Sequence, residues 1–379
     1  MSSNYFNSKS SLVMSERLFF LVLLLIPFST YDGYLIAPNY LVLEGLAFFS
    51  IIKIIVLFLS SICGLFFVSR LYEKVFPVFP FALIYFVVFV NSLLANAGLE
   101  SFLYLLTPIV IVGLVSFVVW YLDCFGFEQF VIILCKAFFV SKLFLLFVFF
   151  LGDFPKLYHL DRYFGTFSNA NHAAVYYSLI FSLSFYYVCY VKFNARIIIM
   201  LLISLFLLIE TGSRTGLLGV IVTILFFCLN FMGSALRLLF VYLAISSLIL
   251  IIIVFGVDWI YGTYGEDTRT AVLISSFMRF LESPIYGSLS SLRFSPVENS
   301  YVAVLELTGL VGFFLTLISI SIIGIRLVRS SKKSAIIVFP FFAMSFFEAI
   351  IFNRTGLPII FVGIILWFVS RKYIYNNLS

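Results

Sequence analysis

Three segments of the 379-residue chain set an arginine among glycines and small polar residues: Asp161-Arg162-Tyr163-Phe164-Gly165, Thr211-Gly212-Ser213-Arg214-Thr215-Gly216 and Asn353-Arg354-Thr355-Gly356. A guanidinium stays charged, grips phosphate oxygens as a two-pronged fork and tolerates partial desolvation better than an ammonium. Several such groups at one depth suit a lipid-linked pyrophosphate. Gly212 and Gly216 would let backbone N–H groups and a helix start approach the same anion. At helix ends the same arginines would equally serve as snorkelling contacts to lipid headgroups, and both readings stand at this point. A second kind of site lies in Glu298-Asn299, just before a later apolar run. A carboxylate there can act as a base and the amide can orient hydroxyls, although an acid ahead of a helix also simply favours the helix dipole.

Metal chemistry is not expected. His159 and His172 are thirteen positions apart with no Cys or carboxylate at zinc-ligand spacing, and no Asp-x-Asp pair exists to hold a divalent ion. No other cofactor is implied. Of the five cysteines, Cys63, Cys135, Cys189 and Cys228 sit inside apolar runs and Cys124 stands beside Asp123, a spacing that gives no disulfide framework. The formal net charge of +6 comes from basic residues scattered singly between apolar runs, so nucleic acid is not an expected partner.

The elements that position these residues are hydrophobic throughout. Hydrophobic residues make up 63% of the chain and charged residues 11%, with a mean hydropathy of +1.19. Soluble domains carry roughly 25% charged residues, so the solvent here is a bilayer. At roughly 20 apolar residues per crossing, the composition suffices for about twelve helices. Candidate runs lie near 18–36, 40–69, 76–96, 102–122, 130–152, 174–191, 197–210, 215–232, 238–257, 301–325, 335–352 and 357–370. The run at 40–69 is longer than one crossing and contains Glu44 and Lys53, which predicts tilting, a kink or an interfacial part. The expected fold is one all-α polytopic membrane domain over 1–379, its first run continuing into Tyr31-Asp32-Gly33-Tyr34 as a retained helix and turn.

Charge sets the expected sidedness. With the N-terminus inside, the inner segments collect Lys9, Arg17, Arg70, Lys74, Lys192, Arg196, Arg237, Arg326, Arg329, Lys332, Lys333, Arg371 and Lys372. The outer loops hold only Lys156, Arg162, Arg214, Arg269, Arg279, Arg293 and Arg354. The positive-inside rule then places both termini in the cytoplasm. Two outer loops are long, 153–173 and 258–300. In the second, Asp267 or Thr268 can cap a helix with Leu273, Phe277 and Leu281 at four-residue spacing, ended by Pro284 and Gly287. That predicts an amphipathic helix on the membrane surface, or one that merely covers the bundle ends.

Pro296-Val297-Glu298-Asn299-Ser300-Tyr301 leads into a helix with Thr308-Gly309-Leu310-Val311-Gly312. This stretch resembles the signature of the O-antigen ligase and polymerase superfamily, a polar pair at a helix mouth followed by a Gly-x-x-Gly step. Glu210-Thr211-Gly212-Ser213-Arg214-Thr215-Gly216 is similar to that family's serine-arginine helix start, and Gly165-Thr166-Phe167-Ser168-Asn169-Ala170-Asn171 resembles its Gly-x-Phe-x-Asn-x-Asn turn. The resemblance covers the chain from about residue 150 onward; the first half matches only as hydrophobic helices.

The resemblance implies a metal-independent, inverting membrane glycosyltransferase that uses undecaprenyl-diphosphate-linked glycans on the periplasmic face of a Gram-negative inner membrane. Ligases of that family resemble one another in placing His first in the polar pair, where this chain has Glu298, so the repeat-unit polymerase is the favoured reading and the ligase the alternative. A chain-length regulator and a flippase are the partners implied. On this reading Glu298 is the candidate base and Arg214 neutralises the departing diphosphate. Substrate contacts fall to Arg162, Asn169, Asn171, Arg279, Arg293, Asn299 and Arg354. Glu210 and Glu306 are structural or secondary, while Lys136 and Lys142 of one helix could equally bind the lipid diphosphate. A flippase is the reading from another class, since intramembrane Lys53, Lys136 and Lys142 would suit a translocation path, but no matching halves are found. Arg214→Ala is expected to abolish the polymer ladder with the protein still inserted, and Arg214→Lys to restore little of it. A full ladder in Arg214→Lys would remove the bidentate phosphate role.

Overall fold

The computed structural model describes residues 9–27, 44–94, 99–150, 158–159, 162–163, 165–167, 170–231, 268–288, 300–330, 332–345 and 357–375. The expected span at 238–257 and the turn at Tyr31–Tyr34 lie outside them. The described chain is helical: α1 Lys9–Leu25, α2 Glu44–Leu65, α3 Val68–Val75, α4 Val78–Leu94, α5 Leu99–Phe150, α6 Ala170–Tyr190, α7 Ala195–Glu210, α8 Arg214–Phe231, α9 Thr268–Glu282, α10 Ser300–Arg329, α11 Ala335–Ser345 and α12 Leu357–Tyr375. Between α5 and α6, β1 (Tyr158–His159) and β2 (Arg162–Tyr163) pair antiparallel, Tyr158 opposite Tyr163 and His159 opposite Arg162. Sequence patterning had given that stretch only as a loop.

The helices fall close to the apolar runs, yet about twelve crossings is too many. Among the described residues three stretches are long and apolar enough to cross a membrane: Tyr104–Leu143, Ala170–Tyr190 and Ser300–Arg329. A fourth is reached if Ile52–Leu65 and Val68–Val75, bent by 96°, count as one. Dividing total apolar content by a crossing length treats every run as full-length. At 1.5 Å per residue, the 16 residues of α7, capped by Asn194 and Thr211, reach only about 24 Å, short of a hydrocarbon core roughly 30 Å thick. The kink expected in the run at 40–69 is the bend between α2 and α3. Leu71 and Val75 are the buried face of α3, while Arg70 is exposed.

Helix α5 contains both runs read around Cys124. It is interrupted at Gly126 (φ 78°, ψ 168°), outside helical geometry. Phe19 of α1 fills the bend: its ring stacks on Tyr121 at 4.1 Å and lies 5.8 Å from Phe117 and 5.7 Å from Phe130. At the α2–α5 crossing, a Cβ on Gly64 would overlap the Gly113 carbonyl and one on Gly113 would overlap the Ser61 carbonyl, so only glycine lets these backbones meet. Ser61 Oγ donates to Val110 O at 3.1 Å across the same crossing. A polar knot ties α3, α5, α10 and α12: Lys74 Nζ pairs with Asp123 at 2.6 Å, Trp367 Nε1 donates to Asp123 at 3.1 Å, and Arg326 donates to the Glu73 and Lys74 carbonyls.

A second group packs on α6, whose residues from Ala173 to Ser184 are all buried. Gly216 and Gly219 of α8 lie against Ala174 and Ser178 of α6, and Ser182 Oγ meets Thr223 Oγ1 at 2.6 Å. Small residues spaced along both helices give the backbones this approach, and hydroxyls on the same seam add hydrogen bonds.

Helix α10 is broken at Gly309 (φ 62°, ψ −156°), a conformation essentially reserved for glycine. The segment after α9 enters the break: Leu310 N donates to Pro284 O at 2.8 Å, Val311 N to Ile285 O at 3.2 Å and Ser288 N to Glu306 O at 2.8 Å. Asn91 of α4 donates to both Tyr286 O (2.5 Å) and Leu307 O (3.0 Å). A Cβ at residue 309 would collide with the Ile285 carbonyl. Gly309→Ala is therefore expected to cost at least about 1–3 kcal/mol, read as a lower unfolding midpoint in detergent. A midpoint equal to the parent's would mean that the break tolerates a side chain.

Candidate functional site

Two of the segments that set an arginine among glycines, Asp161–Gly165 and Thr211–Gly216, meet in space. Helix α7 stops at Glu210, the Thr211–Gly212 turn follows, and α8 begins at Arg214. Gly212 holds φ 59°, the left-handed conformation that lets the chain reverse between two apolar helices. Thr211 Oγ1 donates to Leu208 O at 2.6 Å and receives Ser213 N at 3.3 Å, which stabilises the turn from inside.

Arg162 of β2 reaches this turn from the other segment. Its Nε donates to Thr211 O at 2.9 Å and its Nη2 to Asn171 Oδ1 at 2.7 Å. The stem lies against Gly212, whose absent Cβ would stand 3.7 Å from Arg162 Cγ. One guanidinium thus binds the α7–α8 turn to the first turn of α6. Those two bonds occupy two of the five N–H donors that an arginine carries. Asn171 is buried (4% exposed), Arg162 is partly exposed and Arg214 is exposed. Ser213 Oγ, 2% exposed, has no hydrogen-bond partner among the described residues. The arrangement sets an arginine fork, an exposed arginine at a helix start and a buried hydroxyl around one turn, the donor set that an anion with several oxygens needs.

Neither a protein-family model nor a curated protein matches the chain. The arrangement of its own residues is therefore what speaks to function.

Aromatic rings support the loop from below. Tyr163 stacks with Tyr177 at 6.3 Å, and Phe167 lies 5.2 Å from Tyr176 and 6.2 Å from Tyr177. Thr166 Oγ1 donates to Pro27 O at 2.7 Å, fastening the loop to the end of α1. Lys142 on α5 donates to Tyr177 Oη at 2.8 Å.

Arg279 is placed differently from Arg162. Its Nε meets Glu306 Oε1 at 2.6 Å and its Nη2 donates to Ser276 Oγ at 2.9 Å, with Glu306 only 3% exposed. This ion pair joins α9 to α10, so Arg279, an expected substrate contact, belongs to that junction. On α9, Ser276 and Phe280 face the protein, while Phe277 and Leu281 of the expected stripe are about half exposed. Glu298, Asn299, Asn169, Arg293 and Arg354 lie outside the described residues.

Sequence reasoning missed Asn91 and the Thr211 carbonyl. An asparagine inside the apolar run at 76–96 was the available signal for the first; a backbone acceptor leaves none. Arg162→Met is expected to strand the Thr211 carbonyl and the Asn171 amide oxygen, costing about 1–3 kcal/mol. Thermal unfolding in detergent checks this, and parental stability would show that the guanidinium does not hold the turn.

Proposed function

We propose that this protein is a repeat-unit polymerase of lipid-linked glycans, in the manner of the O-antigen polymerases its motifs resemble, acting at the outer face of a bacterial inner membrane. The observation that supports the reading is the Arg162 bridge. It ties Asn171 of one resembling segment to Thr211 of the other, next to Arg214, so that two motifs about forty residues apart in sequence form one anion-binding corner.

The chemistry follows from what such a corner supplies. A hydroxyl oxygen of the acceptor glycan attacks the anomeric carbon of the donor. The new C–O bond forms as the bond to the diphosphate breaks, and the electron pair leaves with undecaprenyl diphosphate. Arg214 and the remaining donors of Arg162 neutralise that growing negative charge with fixed positive groups, which requires no metal. Glu298 takes the hydroxyl proton, and Asn299 orients the sugar. Attack opposite the leaving group inverts the anomeric configuration.

Deleting the gene in its host and resolving lipopolysaccharide on a gel tests the reading. Loss of the ladder with core plus a single repeat retained is the expected outcome, restored by the parental gene and reduced by Glu298→Gln. Bare core with polymer accumulating on undecaprenyl diphosphate would instead identify a ligase, and bare core without polymer a flippase.

A further inference from the structure

Lys142 lies within Tyr104–Leu143, one of the stretches apolar enough to cross a membrane. An ammonium there is costly and marks a functional position unless it is neutralised or reaches water. Its surroundings are specific. Nζ donates to Tyr177 Oη at 2.8 Å and sits over two rings, 4.7 Å from the centre of Tyr177 and 5.2 Å from that of Phe138. Among the described residues no carboxylate forms an ion pair with it.

The anchoring argues against simple snorkelling. A snorkelling lysine extends its head toward water and headgroups, whereas this head is tied to a tyrosine that is 0% exposed. Tyr177 stacks on Tyr163, the residue after Arg162 in β2, so the lysine is tied through two rings to the strand that carries the arginine. Lys136, six positions earlier on α5, is exposed. Lys142 itself is partly exposed, and only one of the three donors of its ammonium is used by Tyr177.

We propose that Lys142 is an anion-binding residue of the same site, taking a phosphate oxygen of the lipid-borne diphosphate, with Tyr177 as the positioning residue that aims it. The inference rests on the function proposed above and names a binding group beyond the arginines. Lipid-borne phosphate has two sources in a membrane, the polyprenyl carrier and the phospholipid headgroups, and the assignment here is to the carrier.

The test uses the full chain in phosphatidylcholine nanodiscs, with undecaprenyl diphosphate as the probe and phosphatidylglycerol as the competing source. Lys142→Met is expected to weaken undecaprenyl diphosphate binding by about 10- to 100-fold, the range for losing a charged hydrogen bond, with its unliganded unfolding midpoint near the parent's. Lys142→Arg should recover part of the affinity. Tyr177→Phe keeps the ring and removes only the hydroxyl. It is expected to lose about 2- to 10-fold and carries the test if Lys142→Met does not fold; unchanged affinity in Tyr177→Phe then overturns the proposal. Parental affinity in Lys142→Met with a lowered midpoint overturns it as well, leaving the lysine a packing partner of Tyr177. Selective loss of phosphatidylglycerol binding would reassign it to the bilayer. No binding of the probe by the parent would defeat the proposed function together with this inference, whereas binding by the parent and equal binding by Lys142→Met defeats this inference alone.

Discussion

Where a helix breaks inside an apolar surrounding, its freed carbonyl and N–H groups must find partners within the protein, because each one left bare costs several kcal/mol. That constraint organises the described structure. At Gly309 the freed N–H groups of Leu310 and Val311 are met by the carbonyls of Pro284 and Ile285, and the Leu307 carbonyl is met by Asn91. At the α7–α8 turn the Thr211 carbonyl is met by Arg162. Asn91 and Arg162 are thus both engaged at backbone breaks. The broken turns in turn gather Arg214, Ser213 and Asn171 into one corner.

Arginine does two kinds of work here, and the charge of its partner separates them. The Arg279 fork is engaged by Glu306 and Ser276, a pair whose mutual attraction must offset the desolvation of both charges. Removing Arg279 would leave the Glu306 carboxylate buried without it, so that pair acts as a fastener between α9 and α10. Arg162 meets two neutral acceptors among the described residues, an amide oxygen and a backbone carbonyl. A guanidinium fixed in place by neutral groups could meet an anion without first breaking an ion pair, which is what the proposed function asks of it.

Close helix packing gives this corner its rigidity. Gly216 and Gly219 bring α8 against α6, while Gly64 and Gly113 bring α2 against α5. Without a strong hydrophobic drive between helices in lipid, contact of this kind and the hydroxyl bonds across it supply the association. The ring cluster of Tyr163, Phe167, Tyr176 and Tyr177 does the same for the loop that carries Arg162. Large rings there pack the loop against α6.

The sequence by itself determined the helical class, the approximate positions of the apolar runs, the amphipathic helix at Thr268–Glu282 and the bend after the run at 40–69. These follow from local rules, since composition, periodicity and Gly or Pro punctuation act within a few residues. It also marked Arg162, Asn171 and Arg214 as candidate binding groups among glycines and small polar residues. Only the tertiary structure decided which carbonyl each arginine meets, because a backbone acceptor such as that of Thr211 carries no residue signature. The same holds for how many of the described helices are long enough to cross, and for Lys142, which meets a tyrosine 35 positions away. Long-range pairing of this kind is set by packing, and packing is a property of the whole chain.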